Sequence, residues 1–198
     1  MSAGAALALP PAAPPARPRV LLVGTALAAA ASVMAIVGLV GVYLAQRALV
    51  LHDGAPWLPD GASLPLTPAN VAMGTMLLSA VTMWWAVDSV GRNDRPGAYL
   101  ALGITMVFGI AVINSVSVEM ARSAIPVSTT MGLLFYTINA LGIAMIIAGL
   151  AYAAVMTFRT LGGEYQGRDR EGLVAASLFW YVTIAVQAVI WYAIFVTK

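Results

Sequence analysis

The sequence RTLGGEYQGRDREG, residues 159–172, is the only dense cluster of charged residues in the chain. Two long apolar runs flank it, one from Val127 to Phe158 and the other from Leu173 to Val196. Because about 20 apolar residues span the hydrocarbon core of a bilayer, this pattern predicts two membrane-spanning helices joined by a hydrated loop.

The composition of the whole chain is that of a membrane protein. Of the 198 residues, 61% are hydrophobic and 9% are charged, whereas about 25% charged residues are usual in soluble domains. The sequence therefore predicts an all-α integral membrane protein, a bundle of five transmembrane helices at about residues 20–45, 68–90, 97–120, 127–158 and 173–196. Residues 1–19 contain five prolines, which prevent a regular helix, so we expect a flexible Ala/Pro-rich tail ahead of a transmembrane domain at 20–198.

The basic residues are distributed unevenly around these spans. Seven of the ten lie in the amino-terminal tail and in the loops after the second and fourth spans. Short loops rich in lysine and arginine stay in the cytoplasm. The amino terminus is therefore predicted to be cytoplasmic, and with five spans the carboxyl terminus is predicted to be outside.

Side chains that bind cofactors are scarce. The chain has no cysteine and a single histidine, His52, whereas haem, iron–sulfur and zinc sites draw mainly on histidine and cysteine. We predict no catalytic residue, no metal site and no cofactor held by this chain alone. The formal net charge of +2 comes from few residues, and we expect no nucleic-acid partner.

Polar side chains inside the apolar runs have two interpretations. The amides among them are Asn70, Asn114, Asn139 and Gln187. Such groups commonly bond to a neighbouring helix, worth about 0.6 kcal/mol each, but a row of amides is also compatible with a path for a transported solute. The carboxylates Asp88 and Glu119 lie close to span ends, where we expect anchoring at the membrane interface or pairing with a nearby arginine. Proton handling is the alternative for these two groups.

Glycines recur in the predicted spans. They include Gly38, Gly41, Gly103, Gly109, Gly142 and Gly149. In lipid, close backbone approach at small residues is a main source of helix packing. We therefore expect either a tight five-helix bundle or docking of the bundle onto partner helices.

Several short motifs occur in a defined order along the chain. They are Ser32-Val33-Met34, Gly38-Leu39, Tyr43 and Arg47-Ala48 in the first span, Trp57-Leu58-Pro59 and Leu64-Pro65-Leu66 in the loop after it, Phe135-Tyr136 in the fourth span and Trp180-Tyr181 in the fifth. In order and spacing they resemble subunit III of haem-copper terminal oxidases, cytochrome c oxidase subunit 3, in its short bacterial form with five spans. The resemblance covers about residues 25–196.

Most of the ionisable positions of that family carry neutral residues here. The glutamate of the family's first helix falls on Ser32, and the histidine of its last helix falls on Tyr181. The other replaced positions are Asn114, Ser117, Gly142, Met145 and Ile184. The resemblance therefore implies a scaffold that keeps aromatic and small packing residues but has lost the family's buried charges.

The resemblance implies a non-catalytic subunit of a respiratory complex in the bacterial cytoplasmic membrane. Such a subunit packs against the haem-bearing catalytic subunit I and other oxidase subunits, stabilises the catalytic subunit and binds lipid; haem and copper are expected in its partners, and a bound phospholipid in this chain. We expect nine residues to contact lipid or other subunits: Ser32, Tyr43, Arg47, Trp57, Asn114, Tyr136, Asn139, Trp180 and Tyr181. An accessory or assembly subunit of another membrane complex, or a small transporter, stays open as an alternative.

Overall fold

The computed structural model describes residues 19–162 and 171–197. These residues form α1 (Val20–His52), α2 (Leu66–Gly91), α3 (Arg95–Arg122), α4 (Thr130–Leu161) and α5 (Glu171–Trp191), and α5 is continued by a π-helical turn, Tyr192–Val196. Each of the five helical segments is long and apolar enough to cross a membrane, and the described residues contain no strand. The predicted all-α, five-helix membrane bundle is confirmed. The predicted tail, up to residue 18, and most of the charged loop, residues 163–170, lie outside the described residues.

Helix α1 is longer than the sequence pattern suggested. It continues past Ala45 to His52, although residues 48–67 were expected to form a loop. No glycine or proline interrupts residues 46–52, and the first residue that favours another conformation is Gly54, which has a φ of 74°. A left-handed conformation of this kind suits glycine and ends a helix. The arginine at position 47 is therefore part of a rigid helix.

Side-chain caps fix the starts of α3 and α4. The Asp94 carboxylate accepts a hydrogen bond of 3.1 Å from the Gly97 amide, and the Thr129 hydroxyl oxygen accepts one of 3.0 Å from the Gly132 amide. Such caps satisfy amide groups that lack a partner in the first helical turn. Helix α4 consequently begins at Thr130, three residues after the expected start at Val127.

Helix α5 lies at the centre of the bundle. It contacts α1, α2 and α4, and half of its most apolar segment is buried, compared with 17% for α1. One hydrophobic core, with Phe135 and Ile190, lies where α1, α4 and α5 meet. A second core, with Met83, Leu102 and Ile184, lies among α2, α3, α4 and α5. Helix α5 therefore contributes to both cores.

Candidate functional site

Trp180 joins three helices around the middle of α5. Its side chain is completely buried, and its indole Nε1 donates a hydrogen bond of 3.0 Å to the hydroxyl oxygen of Ser79 on α2. Ser79 in turn donates to the Met76 carbonyl at 2.6 Å. Trp180 was expected to contact lipid or another subunit, and the structure corrects this, because a fully buried indole is accessible to neither.

Two glycines make room for the Trp180 ring. A Cβ atom added at Gly109 on α3 or at Gly149 on α4 would lie 2.8 Å from a ring carbon of Trp180. By contrast, a Cβ at Gly38, on α1, would meet no atom within 4 Å, and the same holds for Gly41 and Gly103. The close packing expected at glycines is therefore found at the internal ones, while those of α1 face away from the bundle.

A contact between Tyr43 and Trp57 holds the loop after α1 against that helix. The Trp57 indole nitrogen donates a hydrogen bond of 3.0 Å to the Tyr43 hydroxyl oxygen, and the two rings meet edge to face with centroids 5.3 Å apart. Tyr43 is fully buried and Trp57 is 8% exposed. Tyr43 is thus an internal packing residue, which corrects its expected role as a contact for lipid or subunits.

Arg47 lies beside a cavity under this loop. The cavity has a volume of about 300 Å³ and is lined by Arg47, Leu51, Pro56, Trp57, Leu58, Leu64 and Met131. The Nε atom of Arg47 is buried, and it has no hydrogen-bond partner within residues 19–162 and 171–197. A buried donor that belongs to a charged group and lacks an acceptor is unusual in a folded protein. This arrangement is suited to binding an anion.

Among the remaining candidates, Tyr136 and Ser32 form local hydrogen bonds, whereas Tyr181 is partly exposed. The Tyr136 hydroxyl donates to the Ile125 carbonyl at 3.2 Å and lies 3.3 Å from the Ser123 hydroxyl, so it holds the turn between α3 and α4. The Ser32 hydroxyl donates to the Ala28 carbonyl in its own helix at 2.9 Å. Tyr181 is 37% exposed. Contact of these three residues with lipid or subunits stays a prediction.

The four amides do not share one site. Asn139 and Gln187 line a cavity of about 30 Å³, which has room for about one or two water molecules. Asn114 lines a separate groove of about 530 Å³ between the start of α2 and the end of α3. Asn70 accepts a hydrogen bond of 2.9 Å from the Trp191 indole. A continuous row of amides is therefore absent from the part of the chain that the structure describes.

Asp88 and Glu119, the two carboxylates near span ends, have different environments. Asp88 pairs with Arg92 at 2.9 Å, as expected. Glu119 is only 6% exposed and lines both the small cavity and the groove with Asn114. Its burial was missed, because both faces of a membrane-spanning helix are apolar and the sequence pattern does not show which face is buried.

Metal ligands are not clustered in the described residues. Within these ranges no three histidine, cysteine, aspartate or glutamate side chains come together as a possible ligand set. The side chain of His52 is 90% exposed at the end of α1. That haem and copper are held by partner subunits stays a prediction.

Comparison with protein families decides the assignment of the chain. The family model described as cytochrome c oxidase subunit III matches residues 18–198. The chain belongs to the cytochrome c oxidase subunit III family. This confirms the resemblance carried by the motifs, and the family and the five apolar helices together identify a multi-pass membrane protein.

Curated relatives carry the name of the same subunit. Cytochrome c oxidase subunit 3 of Struthio camelus is 25% identical over 132 residues, which are 65% of this chain and 50% of the relative. The subunit 3 of Sus scrofa is 26% identical over 146 residues, 72% of this chain and 56% of the relative. The chain thus spans about half the length of the curated subunit III relatives it matches.

Proposed function

We propose that this chain is a non-catalytic, subunit III-like component of a respiratory haem-copper oxidase, a cytochrome c oxidase, in a bacterial cytoplasmic membrane. It packs against the haem-bearing catalytic subunit I, stabilises that subunit and binds lipid. Haem and copper are held by the partner subunits. The family match over residues 18–198 is the observation that carries the proposal.

The burial pattern supports a role in assembly. The bundle has its own internal cores around α5, while α1 exposes long apolar side chains along its length, among them Leu27 at 68% and Met34 at 70%. Lipid or a partner helix covers such a face in a membrane. Since the hydrophobic effect does not press helices together in lipid, docking depends on shape and hydrogen bonds, both of which a rigid bundle supplies.

We expect the chain to co-purify with a haem-bearing subunit when it is tagged at its amino terminus and extracted in a mild detergent. The measurement is the visible absorbance of the fraction together with mass spectrometry of its polypeptides. An untagged strain processed in parallel controls for free oxidase that adheres to the resin. A pure fraction of this chain alone, without haem absorbance, would contradict the proposal.

Two other outcomes distinguish the alternatives. Co-purification with membrane proteins that carry no haem would indicate an accessory or assembly subunit of another complex. Solute flux into liposomes that contain only this chain, lost when Asn139 and Gln187 are replaced by leucine, would indicate a transporter. The separation of the four amides in the structure favours the oxidase proposal over the transporter.

The proposed orientation has the amino terminus in the cytoplasm and the carboxyl terminus outside. Because the chain has no cysteine, single cysteines report the side of each loop. We expect Ser63→Cys, in the loop between α1 and α2, to react with a membrane-impermeant maleimide added to sealed, right-side-out membrane vesicles. Ser2→Cys is expected to react only after the vesicles are opened. The reverse pattern would overturn the orientation.

A further inference from the structure

Arg47 is a charged residue whose environment is incomplete within the residues that the structure describes. A guanidinium stays protonated at any physiological pH, and burying part of it without a counter-ion or acceptor carries a cost in free energy. Its Nε is buried, and the described residues offer it no acceptor. Asp53, the acid that caps the end of α1, lies 3.7 Å from His52, and both of those side chains are more than 80% exposed.

The cavity beside Arg47 indicates the chemistry of the missing acceptor. Its volume is about 300 Å³, and every lining residue other than Arg47 is apolar or aromatic. A ligand that fits this lining carries an anionic oxygen for the guanidinium and apolar atoms for the remainder. Arginine is the residue best suited to phosphate or carboxylate, because its planar group donates two parallel hydrogen bonds.

The face of α1 around Arg47 is apolar and partly exposed. Leu44 lies three residues before Arg47 and Leu51 four residues after it, so the three side chains share one face of the helix. Val37, two turns before Leu44, continues this face. The exposed fractions of Val37, Leu44 and Leu51 are 45%, 39% and 48%. An apolar surface therefore runs from the cavity along α1 towards the middle of the span.

We propose that Arg47 binds the phosphate of an anionic phospholipid, with the glycerol region in the cavity and an acyl chain along Leu44 and Val37. This inference rests on the lipid-binding part of the proposed function and gives it a site. Tryptophan is enriched at the depth of lipid headgroups, an arginine near a helix end reaches the same depth, and anionic headgroups attract basic residues near the membrane surface. A carboxylate from a partner subunit would satisfy Arg47 but would leave the apolar face of α1 unexplained.

Lipid titration of the purified full-length chain tests the proposal. The chain in neutral detergent is titrated with phosphatidylglycerol or with phosphatidylcholine of the same acyl chains, and bound lipid is counted by native mass spectrometry. We expect the wild-type chain to bind its first phosphatidylglycerol at least about tenfold more tightly than phosphatidylcholine, because both lipids offer a phosphate oxygen but the choline cation offsets the negative charge that attracts Arg47. Arg47→Gln is expected to remove this preference.

Three further variants make the result specific. Arg92→Gln removes an exposed arginine that pairs with Asp88, and it is expected to keep the preference within about twofold. Arg47→Lys keeps the charge but loses the forked geometry, so an intermediate preference is expected, and this variant replaces Arg47→Gln if the latter does not fold. Leu44→Gln is expected to weaken the binding of both lipids to a similar extent.

Three outcomes would overturn the lipid site. They are equal binding of the two lipids by the wild-type chain, equal loss of preference in Arg47→Gln and Arg92→Gln, and loss of a partner subunit in Arg47→Gln without any lipid preference in the wild type. The last result would assign Arg47 to a partner's carboxylate. Because the titration uses the isolated chain, its failure is independent of haem co-purification.

Discussion

Replacing Trp180 by alanine is expected to lower the free energy of unfolding by about 3–5 kcal/mol, the usual cost of removing a large aromatic side chain from a core. The ring is completely buried and fills the space between Gly109 and Gly149. Its loss also leaves the Ser79 hydroxyl without the indole donor. Because helix α5 contributes to both cores, we expect the whole bundle to be affected.

Unfolding of the detergent-solubilised chain, followed by circular dichroism with increasing denaturant or temperature, measures this effect. Trp84→Ala is the matched control, because Trp84 lies on α2 with 63% of its surface exposed. It removes the same side chain from the outside of the bundle and is expected to cost less than about 1 kcal/mol, the usual size for a surface substitution. Equal destabilisation by the two variants would contradict the central role of Trp180.

Adding a single methyl group at Gly149 is expected to destabilise the protein by about 1–3 kcal/mol, the usual cost of overpacking a core. The new Cβ would lie 2.8 and 3.1 Å from two ring carbons of Trp180. The ring has little freedom to withdraw, because α3 approaches it at Gly109, where an added Cβ would also lie 2.8 Å from a ring carbon. Gly149→Ala would therefore force α4 and α5 apart.

Gly38→Ala is the control for this substitution, since its new methyl group would meet no atom within 4 Å. It is expected to be neutral or stabilising, because alanine is the better helix former by about 0.5–1 kcal/mol. Combining Gly149→Ala with Trp180→Phe, which has a smaller ring, should relieve the clash. We expect the double variant to be at least about 0.5 kcal/mol more stable than the sum of the single effects predicts. Strict additivity would show that the two residues do not constrain each other.

The number and type of helices could be predicted from the sequence because hydropathy reports membrane insertion directly. Charged loops and prolines interrupt the apolar runs, and each run is long enough to span a bilayer. The end of α1 was less predictable. Hydropathy falls near Gln46 and Arg47, but the backbone continues as a helix until Gly54, since a polar residue does not break a helix.

The side chains that meet inside the bundle could not be predicted in the same way. In a membrane helix the face towards lipid and the face towards the core are both apolar, so periodicity does not distinguish them. For this reason Tyr43 and Trp180 were assigned to outside contacts, although both are fully buried. Ser79, the acceptor for Trp180, lies 101 residues before it in the chain, and no local pattern connects them.

The central position of α5 has a consequence for biogenesis. This helix is the last of the five to be synthesised, and both hydrophobic cores include its side chains. Until it has entered the membrane, both cores lack the side chains of α5, and the indole of Trp180 is missing from its position between α3 and α4. Neither core is complete before α5 has been synthesised, so a nascent chain cut short before α5 cannot complete the fold.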